Sequence, residues 1–183
     1  CEGYWNNSDL AKEVIGRNGW LRTGDLGEWT SDGNLKIIDR ARDMITTSTG
    51  KRLSPASIEN IVKSSLYISE AMVVGQGRNH ISALVEIDFE TVLEWALLND
   101  IPYTGIESLI QQPAIVQLIS SEIEKVNQRL APDERIHSFR IIPKVLDPGG
   151  DDQPITPTRK LKRGLMYREF YELIESMYND VKP

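Results

Sequence analysis

Two short segments early in the chain carry side chains suited to binding a nucleotide. Asp25 lies in a Thr-Gly-Asp turn at residues 23–25, and Arg40 follows in Asp-Arg-Ala-Arg-Asp at residues 39–43. A carboxylate on a glycine turn can accept hydrogen bonds from the hydroxyls of a ribose, and a guanidinium offers planar donors to phosphate or ribose oxygens. Asp25 and Arg40 are therefore predicted nucleotide-binding residues. The alternative is a structural hairpin with a surface Asp-Arg ion pair.

A run of four cations near the end of the chain is the second chemical feature: Arg159, Lys160, Lys162 and Arg163. Taken alone, such a run is most often a solvated loop or a minor nucleic-acid patch. The chain as a whole has 21 basic and 27 acidic residues and a net charge of −6, which argues against general affinity for nucleic acid. The four cations need a structural context before a function can be assigned.

The patterning predicts the elements that position these residues. Residues 26–39 are predicted to form a β-hairpin, because an Asp-Gly turn signal lies between two apolar runs. Ser54 is predicted to cap a helix that starts at Pro55 and carries Leu66 on its apolar face. Further apolar patterns predict three strands at 71–75, 81–87 and 139–142, the first two antiparallel, and helices at 89–97, 115–130 and 164–178.

This order of elements predicts an α+β fold: a small domain of about three strands with packed helices, preceded by a β-hairpin. At 183 residues, with 40% hydrophobic and 26% charged residues, the chain can bury one good core and carry an appendage. It has no run of eighteen apolar residues, so no transmembrane segment is predicted. One Cys and two His residues cannot build a disulfide framework or a Cys/His zinc site, so no metal site is predicted, and they suit a reducing cytoplasm.

Three motifs together resemble a known superfamily. They are Gly-Trp-Leu-Arg-Thr-Gly-Asp-Leu-Gly-Glu-Trp at 19–29, Asp-Gly-Asn-Leu-Lys-Ile-Ile-Asp-Arg at 32–40, and Ile-Thr-Pro-Thr-Arg-Lys-Leu-Lys-Arg at 155–163. They resemble the adenylate-forming, AMP-binding superfamily of acyl-CoA synthetases, adenylation domains and luciferases, and most of all the C-terminal part of long-chain fatty acyl-CoA synthetases. The resemblance implies that residues 1–41 are the tail of a large N-terminal domain and residues 42–183 a mobile C-terminal domain.

The resemblance also implies roles for individual residues. An ungapped match from Thr158 places Lys162 on the lysine that reaches the reacting carboxylate and the α-phosphate. Lys160 is the second choice, because Lys-Leu-Lys stands here where Ser-Gly-Lys is common in the superfamily. Arg42 falls at the hinge between the domains. Gly50, with Lys51 and Arg52, falls on the face that meets CoA, and Asp25 and Arg40 remain the nucleotide ligands.

The implied activity of the full-length protein is an ATP-dependent ligase that forms acyl-AMP and then acyl-CoA from a carboxylic acid, with fatty acids the expected class. ATP, Mg²⁺ and CoA are then substrates, and no prosthetic group is expected. The 183-residue chain alone is expected to be inactive, the enzyme to be cytoplasmic, and peripheral membrane contact is left open. Two alternatives remain: an adenylating enzyme that loads a carrier-protein thiol, and a free-standing interaction module that uses its cations to bind an acidic partner.

Overall fold

The computed structural model describes residues 3–150 and 152–179, and it divides between Met44 and Ile45 into two compact units. Cys1, the single cysteine, lies outside the described residues. No helix within the described part of the chain is both long and apolar enough to cross a membrane.

The first unit contains a short helix and the predicted hairpin. Helix α1 is Ser8–Val14, and strands β1, Asp25–Trp29, and β2, Leu35–Arg40, pair antiparallel. The register places Asp25 directly opposite Arg40, with a bulge between Leu26 and Gly27. The hairpin prediction is therefore confirmed, whereas α1 was not predicted.

Among the described residues, the second unit contains a small two-stranded hairpin, a three-stranded sheet, six α-helices and a 3₁₀ helix, Pro132–Glu134. Its strands are β3, Ile45–Thr46, β4, Arg52–Leu53, β5, Ile68–Val74, β6, Ile81–Ile87, and β7, Ile136–Ile141. Its helices are α2, Pro55–Val62, α3, Phe89–Leu98, α4, Ile106–Ile110, α5, Pro113–Asn127, α6, Arg163–Glu169, and α7, Tyr171–Asn179.

The sheet has the order β5-β6-β7, with β5 and β6 antiparallel and β6 and β7 parallel. All seven residues of the central strand β6 are buried, because helices cover both faces of the sheet. Ala71 and Val73 belong to one core cluster with residues of α2, α3, α4 and α5, while Met72 and Val74 belong to a second cluster with residues of α6 and α7. The predicted α+β class with about three strands is thus confirmed, as a sheet between two helical layers.

Helix α2 begins as predicted and ends earlier than predicted. The Ser54 hydroxyl accepts a hydrogen bond from the Ser57 backbone N–H at 3.2 Å, which satisfies one of the donors left open at a helix start. The helix ends at Val62, and the Ser64 hydroxyl donates to the Ile61 carbonyl at 2.7 Å. Leu66 lies beyond this end and is 80% exposed, so its predicted place on the apolar face was wrong.

The predicted helix at 164–178 is broken into two. Phe170 separates α6 from α7 with φ −107° and ψ 25°, outside the α-helical region. Its ring is nonetheless buried in the second core cluster, together with Met166, Ile174 and Met177. The pattern predicted apolar positions at Phe170, Ile174 and Met177, and all three are buried even though the backbone helix is interrupted. Met166 is buried where the pattern predicted Leu165.

Glu59 on α2 is a buried carboxylate that binds the backbone of β5, an edge strand of the sheet. It accepts hydrogen bonds from the Val73 backbone N–H at 2.8 Å and from the Arg163 guanidinium at 2.6 Å. Burial raises the pKa of Glu59 above its ordinary value of 4.5, and Arg163 and the Val73 N–H oppose that shift. Because the folded-state pKa is the higher one, the unfolding free energy falls as pH rises from 4.5 through the folded-state pKa.

We predict that Arg163→Ala steepens this pH dependence. Without the guanidinium the pKa of Glu59 rises further, so the variant loses more stability than wild type as pH rises above 4.5. Near neutral pH the unpaired buried carboxylate should cost about 3 kcal/mol. Urea unfolding followed by circular dichroism measures both effects.

The matched control is the double variant Arg163→Ala/Glu59→Gln, which removes the titrating group. In the double variant, the additional loss of stability with rising pH that Arg163→Ala shows relative to wild type should disappear. Equal pH dependence in wild type and Arg163→Ala would contradict the assigned role of Arg163.

Candidate functional site

The two predicted nucleotide ligands lie together at the open end of the β1-β2 hairpin. Arg40 Nε lies 2.9 Å from Asp25 Oδ1, and a second guanidinium nitrogen of Arg40 donates to the Thr23 carbonyl at 3.1 Å. The Asp25 backbone N–H donates to the Thr23 hydroxyl at 3.1 Å, and Gly24 has a φ of +76°, which favours glycine. The turn thus fixes the carboxylate beside the guanidinium.

This geometry fits both interpretations of the motif. The Asp25-Arg40 contact is the surface ion pair that a purely structural hairpin would contain, and such a pair alone stabilises little. The same contact also holds a carboxylate and a guanidinium side by side, as a ribose and phosphate site requires. The assignment of Asp25 and Arg40 as nucleotide ligands stays a prediction.

The predicted CoA-facing residues lie on the β3-β4 hairpin. Gly50 has a φ of +81°, and a Cβ added there would meet no atom within 4 Å. Lys51 Nζ lies 3.1 Å from Asp133 Oδ2, and Arg52 is exposed. The hairpin is attached to the turn after β5, since the Thr46 backbone N–H donates to the Gln76 side chain at 2.9 Å. The hairpin therefore presents an open backbone surface on a fixed base.

The basic segment also forms a hairpin. Ile155 and Leu161 pair as an antiparallel bridge, and the Lys162 backbone N–H donates to the Pro154 carbonyl at 2.8 Å. Ile155 is fully buried in the second core cluster. Lys162 is the N-cap residue of α6 and is half-buried, whereas Lys160 near the hairpin tip is exposed. Both candidate lysines are thus carried by a segment whose base lies in the core.

The two arginines of the segment bind buried carboxylates. Arg159 Nη2 lies 3.1 Å from Glu86 Oε2, and Arg163 Nη2 lies 2.6 Å from Glu59 Oε1. Sequence reasoning did not identify either glutamate as part of the site. The signal for Glu86 was its position in the otherwise apolar strand Ala-Leu-Val-Glu-Ile at 83–87, because a buried carboxylate requires a cationic or donor partner.

Arg42, the predicted hinge residue, has a side chain that is 83% exposed. Its Nε lies 3.8 Å from Asp43 Oδ1, at the outer limit of an ion pair. An exposed side chain with a long contact is compatible with a role carried by the backbone. The hinge assignment stays a prediction.

The two histidines lie in the second unit, which we call the sheet domain, and the His80 and His137 rings are 5.0 Å apart. Burial and the neighbouring His137 lower the pKa of His80. Within residues 3–150 and 152–179, no three His, Cys, Asp or Glu side chains form a group that could hold a metal ion.

Comparison with known proteins adds a family match. A family model described as the AMP-binding enzyme C-terminal domain matches residues 42–182. The long-chain-fatty-acid CoA ligase FadD15 of Mycobacterium tuberculosis is 34% identical over 178 residues, covering 97% of this chain and 29% of that protein. The long-chain-fatty-acid CoA ligase 1 of Homo sapiens is 28% identical over 184 residues, covering 99% of this chain and 26% of that protein.

A solved structure has the same fold. The A domain of the carboxylic acid reductase from Segniliparus rugosus, determined in complex with AMP and a co-purified carboxylic acid, superposes with a TM-score of 0.77 at 17% identity. The match covers 98% of this chain and 26% of that one. The chain therefore spans less than a third of each protein compared.

We predict that a side chain at Gly50 destabilises the chain through its backbone conformation, although an added Cβ would not clash with any neighbouring atom. Gly50→Ala should destabilise the chain by about 1 kcal/mol, because an L side chain at this φ meets its own carbonyl. Gly164→Ala, the matched control in α6 with open space and ordinary backbone, should be neutral or stabilising by up to about 1 kcal/mol. Urea midpoints measure both, and equal midpoints would contradict the prediction.

Proposed function

Because the chain belongs to the AMP-binding enzyme C-terminal domain family, we propose that it is the C-terminal portion of an ATP-dependent acyl-CoA synthetase. Long-chain fatty acids are the proposed substrates, since the similarity to long-chain-fatty-acid CoA ligases extends over almost the whole chain. The observation that carries the proposal is the Lys162 hairpin, in which two arginines bind buried carboxylates and hold the lysine-bearing segment against the domain core.

We propose that residues 1–41 are the tail of a large N-terminal domain and residues 42–183 the mobile domain. The β1-β2 hairpin supports this division through an exposed apolar face: Trp29 lies opposite Leu35, and Ile37 lies opposite Gly27 on the same side. The other side carries the Glu28-Lys36 ion pair. An exposed apolar face of this kind marks a surface for contact with another domain, another protein or a membrane. The large domain would cover it.

Lys162 is the proposed catalytic residue of adenylation, with Lys160 as second choice. A carboxylate that attacks the α-phosphorus of ATP brings two anions together, so catalysis depends on positioning and on stabilising negative charge. A cation about 4 Å away contributes roughly 1 kcal/mol in water and roughly 4 kcal/mol at an effective dielectric near 20. The lysine must therefore enter a closed site, in which Asp25 and Arg40 would hold the nucleotide and Mg²⁺ would be held mostly by ATP phosphates and the large domain.

The second half-reaction needs a different orientation of the mobile domain. Rotation about Arg42 would withdraw Lys162 and bring Gly50, Lys51 and Arg52 toward the acyl-AMP, where the open backbone at Gly50 leaves room for the pantetheine arm of CoA. The CoA thiol is then the nucleophile and AMP the leaving group. No nucleophilic side chain of the protein is required.

An adenylating enzyme that loads a carrier-protein thiol is the second candidate. The fold similarity to the A domain of a carboxylic acid reductase favours keeping it. A free-standing interaction module that binds an acidic partner through its cations is the third. The binding of Arg159 and Arg163 to Glu86 and Glu59 argues against it, because two of the four cations are already paired within the domain.

The deciding experiment is pyrophosphate release by the full-length protein across a panel of carboxylic acids, with and without CoA. The proposal expects release with long-chain fatty acids and acyl-CoA as product. Acyl-AMP that accumulates until a carrier protein is added would favour the second candidate. No release with any acid would favour the interaction module.

We predict that Lys162→Ala in the full-length enzyme lowers the adenylation rate by roughly a hundredfold or more, on the scale of losing one preorganised charge stabiliser. Thioester formation from supplied acyl-AMP should survive. Lys160→Ala is the matched control and should lower adenylation less. A reversed ranking would move the catalytic assignment from Lys162 to Lys160.

We predict that Arg42→Pro separates the two half-reactions. Proline fixes φ near −65° and removes the backbone donor, so the domain should be trapped in one orientation. Adenylation should be retained and CoA transfer lost, whereas Arg42→Ala, which leaves the backbone free, should be mild. Equal loss of both half-reactions in Arg42→Pro, with circular dichroism unchanged, would exclude the hinge assignment.

A further inference from the structure

Three hairpin loops in this chain have the same hydrogen-bond pattern. They are residues 30–34, 47–51 and 156–160, and each begins with a threonine. In each loop the threonine N–H donates to the carbonyl of the fifth residue, at 2.8, 2.9 and 2.9 Å. The N–H of the fourth residue donates back to the threonine carbonyl, at 3.0, 2.9 and 2.8 Å. The fifth N–H donates to the threonine hydroxyl, at 3.1, 3.2 and 2.9 Å.

The fourth residue of each loop adopts the left-handed conformation, and here the loops differ. Two loops have glycine, Gly33 with φ +78° and Gly50 with φ +81°. The third has Arg159 with φ +55°. Glycine takes this conformation without strain, whereas a residue with a Cβ holds it only where its surroundings require it. The backbone conformation of the loop therefore favours glycine at position 159, so we looked for a contact outside the loop that favours arginine.

The Arg159 side chain reaches out of the loop to Glu86. Arg159 Nη2 lies 3.1 Å from Glu86 Oε2, and the Glu86 side chain is only 3% exposed. Glu86 also accepts hydrogen bonds from the Ser69 hydroxyl at 2.8 Å and the Leu146 backbone N–H at 2.6 Å. The carboxylate is thus fixed on the central strand β6, and a guanidinium bound to it is fixed relative to the sheet.

We propose that Arg159 is a positioning residue for adenylation, holding the tip of the lysine hairpin to the sheet through Glu86. Arg163 binds Glu59 at the other end of the segment, at 2.6 Å, so Lys160 and Lys162 lie between two tethers. A lysine on a tethered hairpin enters the reaction site in one orientation, and misplacement by about 1 Å can lower a rate by about a hundredfold. This proposal rests on the proposed function.

The test uses Arg159→Gly in the full-length enzyme. The variant gives the loop the residue that its two counterparts carry, which offsets part of the cost of leaving Glu86 without its arginine. The Ser69 hydroxyl and the Leu146 N–H still donate to Glu86, so the domain should stay folded, as circular dichroism would verify, while the tether is lost. The adenylation kcat should fall on the order of ten- to a hundredfold with little change in the KM for ATP. Thioester formation from supplied acyl-AMP should be unchanged. Arg135→Gly, which removes another exposed arginine, is the matched control and should leave both half-reactions unchanged.

A second variant tests whether Arg159 acts through Glu86. Glu86→Gln alone should also lower adenylation, and combining it with Arg159→Gly should add little, because both changes break the same contact. Additive losses would overturn the proposal, as would equal loss of both half-reactions in Arg159→Gly. Unchanged adenylation in Arg159→Gly, with Lys162→Ala inactive, would overturn the positioning role and leave the proposed function standing. Unchanged adenylation in Lys162→Ala would count against the catalytic assignment itself.

Discussion

Two of the three buried carboxylates among the described residues, Glu59 and Glu86, impose the constraint on which the sheet domain depends. A carboxylate removed from water must be paired or well supplied with hydrogen-bond donors, and removing its partner is strongly destabilising. Both carboxylates lie at the sheet, one on the helix beside the edge strand and one on the central strand. Both take an arginine from the same short segment, Arg163 and Arg159 respectively. The folded domain therefore requires that segment to lie against it.

The basic segment at 159–163 is part of the folded domain and not a solvated tail. A run of cations free in solvent would move independently of the domain, and its lysines would sample many orientations. Here the arginines are bound to the interior and Ile155 is buried in the core, so the lysines are carried by the domain as a fixed part of it. Electrostatic stabilisation of a transition state is effective when the charge is already in place. A lysine held to a folded domain can supply such a charge, and a lysine on a flexible tail cannot.

The sequence allowed good prediction where structure is determined locally. The hairpin at 25–40, the Ser54 cap and the antiparallel pairing of β5 with β6 follow from turn residues, capping and alternation within short windows. The parallel pairing of β7, far along the chain, and the break at Phe170 have no local signal. The same limit applies to the four cations. The residues next to Arg159 in sequence do not indicate whether its side chain is solvated or binds Glu86, which lies 73 positions away.

The proposed nucleotide ligands and the proposed catalytic lysine differ in the same way, and the difference has a physical origin. Asp25 and Arg40 meet because the hairpin register places them opposite each other, so a turn and two strands suffice to assemble that pair. The segment that carries Lys162 is held by contacts with residues far away in sequence. Arg159 and Glu86 are 73 positions apart, and Arg163 and Glu59 are 104 positions apart. The Asp25-Arg40 pair can thus form from local structure alone. The lysine segment depends on the complete sheet, so the role proposed for Lys162 would require correct folding of the whole domain.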